Sequence, residues 1–96
     1  MLINHLKAQR EAILAAARTH GAKRIRIFGS VARGEETATS DVDFLVDFPQ
    51  GYDLFTQRMP LAECLAALAG RPVDLIPEHE LNRHLRSDIL AEAIDL

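Results

Sequence analysis

The chain has 96 residues, 48% of them hydrophobic and 26% charged, enough for one domain with one modest core. With no tryptophan, a single cysteine (Cys64) and a net charge of −3, it has no internal disulfide and no compositional mark of a dedicated nucleic-acid-binding domain. No apolar run approaches a membrane span, and Met1-Leu2-Ile3 leads into Asn4-His5 without the order of a secretory leader, so a cytoplasmic protein without membrane contact is the expectation. Charge is divided along the chain. Residues 1–34 carry seven Lys/Arg against one acid, and residues 35–96 carry four against thirteen. That division fits either a basic surface for an acidic ligand or a solvated basic helix face.

Residues 2–19 read as an amphipathic helix, with Ile3, Leu6, Ile13, Leu14 and Ala17 at helical spacing and Gly21 at its C-terminal cap. Residues 24–28 alternate and read as a strand, ended by Gly29-Ser30. One helical turn over 30–34 and a polar loop over 34–40 follow. Residues 41–48 form a second strand, with Val42, Phe44, Val46 and Phe48 on one face and Asp41, Asp43, Leu45 and Asp47 on the other. Pro49-Gln50-Gly51 breaks it. A short helical segment at 53–59 precedes a helix at about 60–69, opened by Pro60, lined by Leu61, Cys64, Leu65 and Leu68, and capped by Gly70. Residues 73–76 form a third strand, stopped by Pro77. Leu81, Leu85, Ile89, Ala93 and Leu96 mark a final helix. The expected fold is an α/β (α+β) sandwich, one domain over 1–96, with a three-stranded mixed sheet covered by helices. The first two strands, joined by about a dozen residues, are expected to pair antiparallel.

Two features carry chemistry. A Gly29-Ser30 turn after a strand suits phosphate, because its backbone can approach closely and its N–H groups and hydroxyl donate. Arg33 adds charge to the same turn, or stands as a surface cation near the acidic loop. Asp41 and Asp43 are two residues apart on a strand and therefore share a face, where they can hold a hard cation such as Mg²⁺. Burial of two like charges raises their pKa values, and a cation removes the conflict. If the third strand lies beside the second, Asp74 joins them. Three carboxylates then match a two-metal site for phosphoryl or nucleotidyl transfer, with Asp74 as metal ligand or general base. Ser40 reads as a turn or cap residue, Tyr52 and Cys64 as packing residues, and His5, His20, His79 and His84 as surface or structural.

Gly29-Ser30, Asp41-x-Asp43 and the later strand residue Asp74 together resemble the signature of the DNA polymerase β-like nucleotidyltransferase superfamily. The short chain resembles its minimal nucleotidyltransferase branch, the antitoxins of HEPN/MNT toxin–antitoxin pairs. The resemblance implies strand order 1-2-3, Mg²⁺ (two ions) at Asp41, Asp43 and Asp74, and ATP phosphates at Gly29, Ser30 and Arg33. It also implies transfer of AMP from ATP to a tyrosine of a cognate HEPN ribonuclease toxin, which silences that partner within a hetero-oligomer. Many relatives carry a basic residue after Gly-Ser, where this chain has Val31. Two other readings are a non-catalytic antitoxin that neutralises by binding, and a nucleotide-sensing regulatory domain.

Overall fold

The computed structural model describes residues 1–96. The chain opens with α1 (Leu2–Ala8) and α2 (Arg10–Thr19), two helices where the sequence predicts one. The break is at Gln9, whose ψ of 10° leaves the helical range, although the apolar seam runs on through Leu6 and Ile13, both fully buried. Gly21, at φ +84°, closes α2 as a Schellman cap: its N–H reaches the Arg18 carbonyl, and the Ala22 N–H reaches that of Ala17.

Strand β1 (Ile25–Phe28) runs directly into the short helix α3 (Gly29–Arg33). After the polar loop comes β2 (Val42–Val46), then a π-helical turn, Leu54–Arg58. Asp53 caps that turn by accepting from the N–H groups of Phe55 (2.8 Å) and Thr56 (3.2 Å). Helix α4 (Met59–Ala69) ends at Gly70 in the left-handed conformation, and β3 (Val73–Pro77) follows. Pro77 fits the strand because β3 lies at the sheet edge, where a missing N–H costs no ladder bond.

The sheet has four strands in the order β3-β2-β1-β4. The expected 1-2-3 arrangement is present, with β1 and β2 antiparallel and β2 and β3 parallel. The fourth strand and the shape of the C-terminal region differ from expectation. Residues 81–96 form only a short helix, α5 (Arg86–Glu92), preceded by a 3₁₀ turn (Glu78–Glu80) and followed by β4 (Ile94–Asp95), which pairs antiparallel with β1. A two-residue strand carries no periodic signal; its pairing comes from the free edge of β1.

Strand alternation divides the sheet into two faces. Ile25, Ile27, Val42, Phe44, Val46 and Leu75 point to one, against Leu6, Ile13, Ala16, Ala17, Leu61 and Leu65 of the helices, and this is the hydrophobic core. Arg26, Phe28, Asp43, Leu45, Asp74 and Ile76 belong to the other. No helix is long and apolar enough to cross a membrane.

Candidate active site

Gly29 begins α3 at φ +76°, a backbone conformation that side chains disfavour. A Cβ there would run into the Asp43 carboxylate, with Oδ2 as its nearest neighbour. Position 29 therefore requires glycine on two counts, and the absent side chain lets an acid from β2 lie directly against the β1–α3 turn. Ser30 is half-buried beside it. Gly34, at φ +70°, ends α3 after one turn and a half, with the Glu35 N–H bonded back to the Ser30 carbonyl at 2.8 Å. Val31 packs into the core at 1% exposure, so the position after Gly29-Ser30 is used for packing.

The parallel register of β2 and β3 places Asp43 opposite Asp74, on strands about 4.8 Å apart and on the same face. Asp41 stands one residue ahead of β2. Its position is fixed by the Val42 N–H, which donates to the Pro72 carbonyl at 3.0 Å. Arg71 holds the preceding loop by donating to the carbonyls of Thr37 (2.7 Å) and Ser40 (3.2 Å). The Ser40 hydroxyl accepts from the Thr37 N–H, the turn role expected of it.

None of the chain's seven ion pairs involves Asp41, Asp43 or Asp74, so no basic side chain is directly paired with them. Burial, then the charges of Asp74 and Asp41, push the Asp43 carboxyl above its usual range, with Arg33 opposing. As they stand, no three carboxylate, imidazole or thiolate groups converge to cage an ion. Asp41 and Asp74 are exposed, and like charges splay when nothing draws them together. Mg²⁺ does not need such a cage, because it keeps several waters and is bound through one or two carboxylates plus substrate phosphates. Hard oxygens without an ion-pair partner on adjacent strands, one held to higher pKa by burial and then by its acidic neighbours, fit that requirement. No imidazole enters the site, and His20 instead bonds the Ala16 carbonyl through Nδ1.

Arg33 does not stand free. It pairs with Glu35 (2.6 Å) and with Glu92 at the end of α5 (3.0 Å). Glu92 Oε1 also accepts the Gly29 N–H at 2.8 Å, which brings a carboxylate to the turn expected to take phosphate. Nothing local in the sequence marks Glu92, which lies 63 residues from Gly29. Arg26 is a second residue whose role the strand pattern does not reveal. It is buried, and it pairs with Glu78 at 2.8 Å. The opposite charges of the two chain halves thus meet in Arg24–Asp95, Arg26–Glu78 and Arg33–Glu92, and much of the basic N-terminal part is used internally. Tyr52 packs on Phe48 with ring centroids 5.0 Å apart, and Cys64 packs against the core.

Comparison with known proteins identifies the family of the chain. Residues 9–96 match the nucleotidyltransferase domain family. A Methanocaldococcus jannaschii protein assigned as a protein adenylyltransferase, MJ0435, is 38% identical over 99 aligned residues, covering 100% of this chain and 99% of its own. Protein adenylyltransferase MntA of Thermococcus cleftensis is 39% identical over 77% of this chain and 74% of its own. A solved structure assigned as a minimal nucleotidyltransferase superposes with a TM-score of 0.86 at 45% identity, over 100% of this chain and 97% of the other. A toxin–antitoxin crystal structure with AMP-PNP has the same fold, with a TM-score of 0.74 at 24% identity over 90% of this chain and 70% of that one. The chain belongs to the nucleotidyltransferase domain family, among its minimal members.

Proposed function

We propose that this protein is a Mg²⁺-dependent protein adenylyltransferase. The hydroxyl of a tyrosine on a partner, a HEPN ribonuclease toxin, attacks the α-phosphorus of ATP, AMP is transferred and pyrophosphate leaves. The protein so acts as the antitoxin of a cytoplasmic pair. The observation that carries the reading is the placement of Asp43 in contact distance of the Gly29 turn and in register with Asp74. A phosphate-binding turn and a carboxylate pair on one sheet face are the two halves of a nucleotidyl-transfer site. The full-length similarity to a relative assigned as a protein adenylyltransferase supports a protein as acceptor.

Gly29 and Ser30 offer an N–H and a hydroxyl to the triphosphate, and Arg33 adds a guanidinium that suits phosphate oxygens. Asp41, Asp43 and Asp74 would hold divalent cations, which when bound offset charge on the attacking and leaving oxygens. Asp74, exposed at the sheet edge, is open to the acceptor hydroxyl and suited to take its proton. The acceptor is held by the partner subunit in a hetero-oligomer.

The test is co-expression with a HEPN-type toxin as the candidate partner. Wild type restores growth, and the Asp41→Asn/Asp43→Asn double variant does not. Full rescue by a double variant that co-purifies with an unmodified toxin would establish neutralisation by binding and overturn the catalytic reading.

A further inference from the structure

The residues after β3 form a continuous strap on the sheet face that carries Asp43 and Asp74. At its start, Glu78 receives Arg26 (2.8 Å) and Arg86 (3.2 Å) on its two carboxylate oxygens, and Arg86 also donates to the Glu78 carbonyl. At its end, Asp95 is held by both the Nε (2.9 Å) and Nη2 (2.6 Å) of Arg24, Ile94 pairs with Ile27, and the Leu96 carbonyl accepts from Arg10. Between these anchors, Glu92 reaches the β1–α3 turn. Its Oε1 accepts from the Gly29 N–H at 2.8 Å, and its two oxygens take Arg33 Nη1 at 3.2 and 3.0 Å.

A carboxylate accepting from a backbone N–H and a guanidinium at once makes the contacts a phosphate oxygen pair would make. The same N–H and the same guanidinium are the donors that the proposed reading gives to the nucleotide. Both occupants cannot have them together. We infer that Glu92 is an internal competitor for the phosphate cradle, so that the C-terminal strap closes the empty site and must lift before nucleotide binds. The inference rests on the transferase reading, since it concerns the same cradle.

The way the strap is attached suits release. Helix α5 has no fully buried residue, β4 contributes only two residues, and apart from Arg26–Glu78 the anchoring pairs are exposed or partly exposed. Segments with few buried apolar contacts and exposed hydrogen bonds open at the low end of a protein's local stabilities. A cradle that is free only part of the time binds with an apparent affinity reduced by that fraction, so a strap closed nine-tenths of the time weakens binding about tenfold. The arrangement would keep an idle enzyme from engaging nucleotide until the strap is displaced.

Inorganic tripolyphosphate in the presence of Mg²⁺ is the direct probe, because it offers the phosphates without the base. Titration calorimetry on the full chain should show Glu92→Gln binding it about threefold to tenfold more tightly than wild type. In parallel, hydrogen exchange on wild type should show residues 92–96 exchanging faster when tripolyphosphate is added, a readout that needs no variant. Equal or weaker binding by Glu92→Gln, or slower exchange of 92–96 on saturation, overturns the competition while leaving the cradle in place. Failure of wild type and Glu92→Gln alike to bind overturns the cradle itself, and with it the transferase reading.

Discussion

Asp43 and Asp74 are register partners on adjacent parallel strands, and both side chains point to the face that the core helices leave free. Val42 and Leu75, their chain neighbours, point the other way into the core, so neither acid can turn away without unseating a buried residue. Replacing Asp74 by Asn removes an ionisable oxygen from an exposed position. The expected result is an unchanged melting curve with AMP transfer reduced by about 10²-fold or more. Single-turnover labelling of the partner with radiolabelled ATP measures this, and a rate within a few-fold of wild type would remove Asp74 from the machinery.

Gly29→Ala is expected to damage both stability and activity. The left-handed φ and the collision with the Asp43 carboxylate act together, and the cost is expected to be about 1–3 kcal/mol. Urea denaturation measures it. Gly51, with φ +81° and open space around its Cβ position, is the control that isolates the backbone cost, and Gly51→Ala should cost clearly less.

Asp43 sets the sign of a pH effect. Its native carboxyl titrates above the ordinary range, first through burial and then through Asp74 and Asp41. The metal-free native state therefore holds more protons than the unfolded chain between the ordinary and the raised value, and stability falls as pH rises through that window. With EDTA at pH 7, Asp43→Asn should melt at or above the wild-type temperature, and the difference should vanish in acid. Asp95 acts in the opposite sense, because hydrogen bonds from Arg24 hold its carboxyl below the usual range. Its contribution is present above the ordinary carboxylate value and is lost as pH falls through the depressed one, so β4 should loosen in acid. Adding Mg²⁺ should raise the wild-type melting temperature and leave Asp41→Asn/Asp43→Asn unmoved.

The Arg26–Glu78 pair gives an asymmetric prediction. Arg26 is buried with its Nε unpartnered, whereas Glu78 is more exposed and has Arg86 as a second partner. Arg26→Met should stay within about 1 kcal/mol of wild type, since an apolar chain of similar length fills the space and Glu78 keeps Arg86. Glu78→Gln leaves a buried guanidinium without its counter-charge and should cost about 1–3 kcal/mol. Equilibrium unfolding of the two variants compares them directly.

Much of the candidate site is legible from residue order, because strand alternation fixes which side chains share a side. Asp41 and Asp43 after Gly29-Ser30 need only local geometry, and Asp74 needs one tertiary fact, the adjacency of β2 and β3. The C-terminal region is not legible in this way. Leu81, Leu85, Ile89 and Ala93 have helical spacing, yet only Arg86–Glu92 is helical, because ion pairs to Arg24, Arg26 and Arg33 and the open edge of β1 hold the chain in another path. Those forces act between residues far apart in sequence, and no periodicity encodes them. For the same reason the alternation of residues 24–28 does not reveal that Arg26 is buried and paired with Glu78.

On the proposed reading, the carboxylates opposite Gly29 carry out AMP transfer to a protein. The decisive measurement is intact-mass spectrometry of the proposed HEPN-type toxin partner after incubation with this protein, ATP and Mg²⁺. A mass increase corresponding to added AMP on a tyrosine, abolished by Asp41→Asn/Asp43→Asn and by EDTA, is the predicted result. A toxin that is inactivated by wild type and by the double variant alike, with no change in mass, would contradict it.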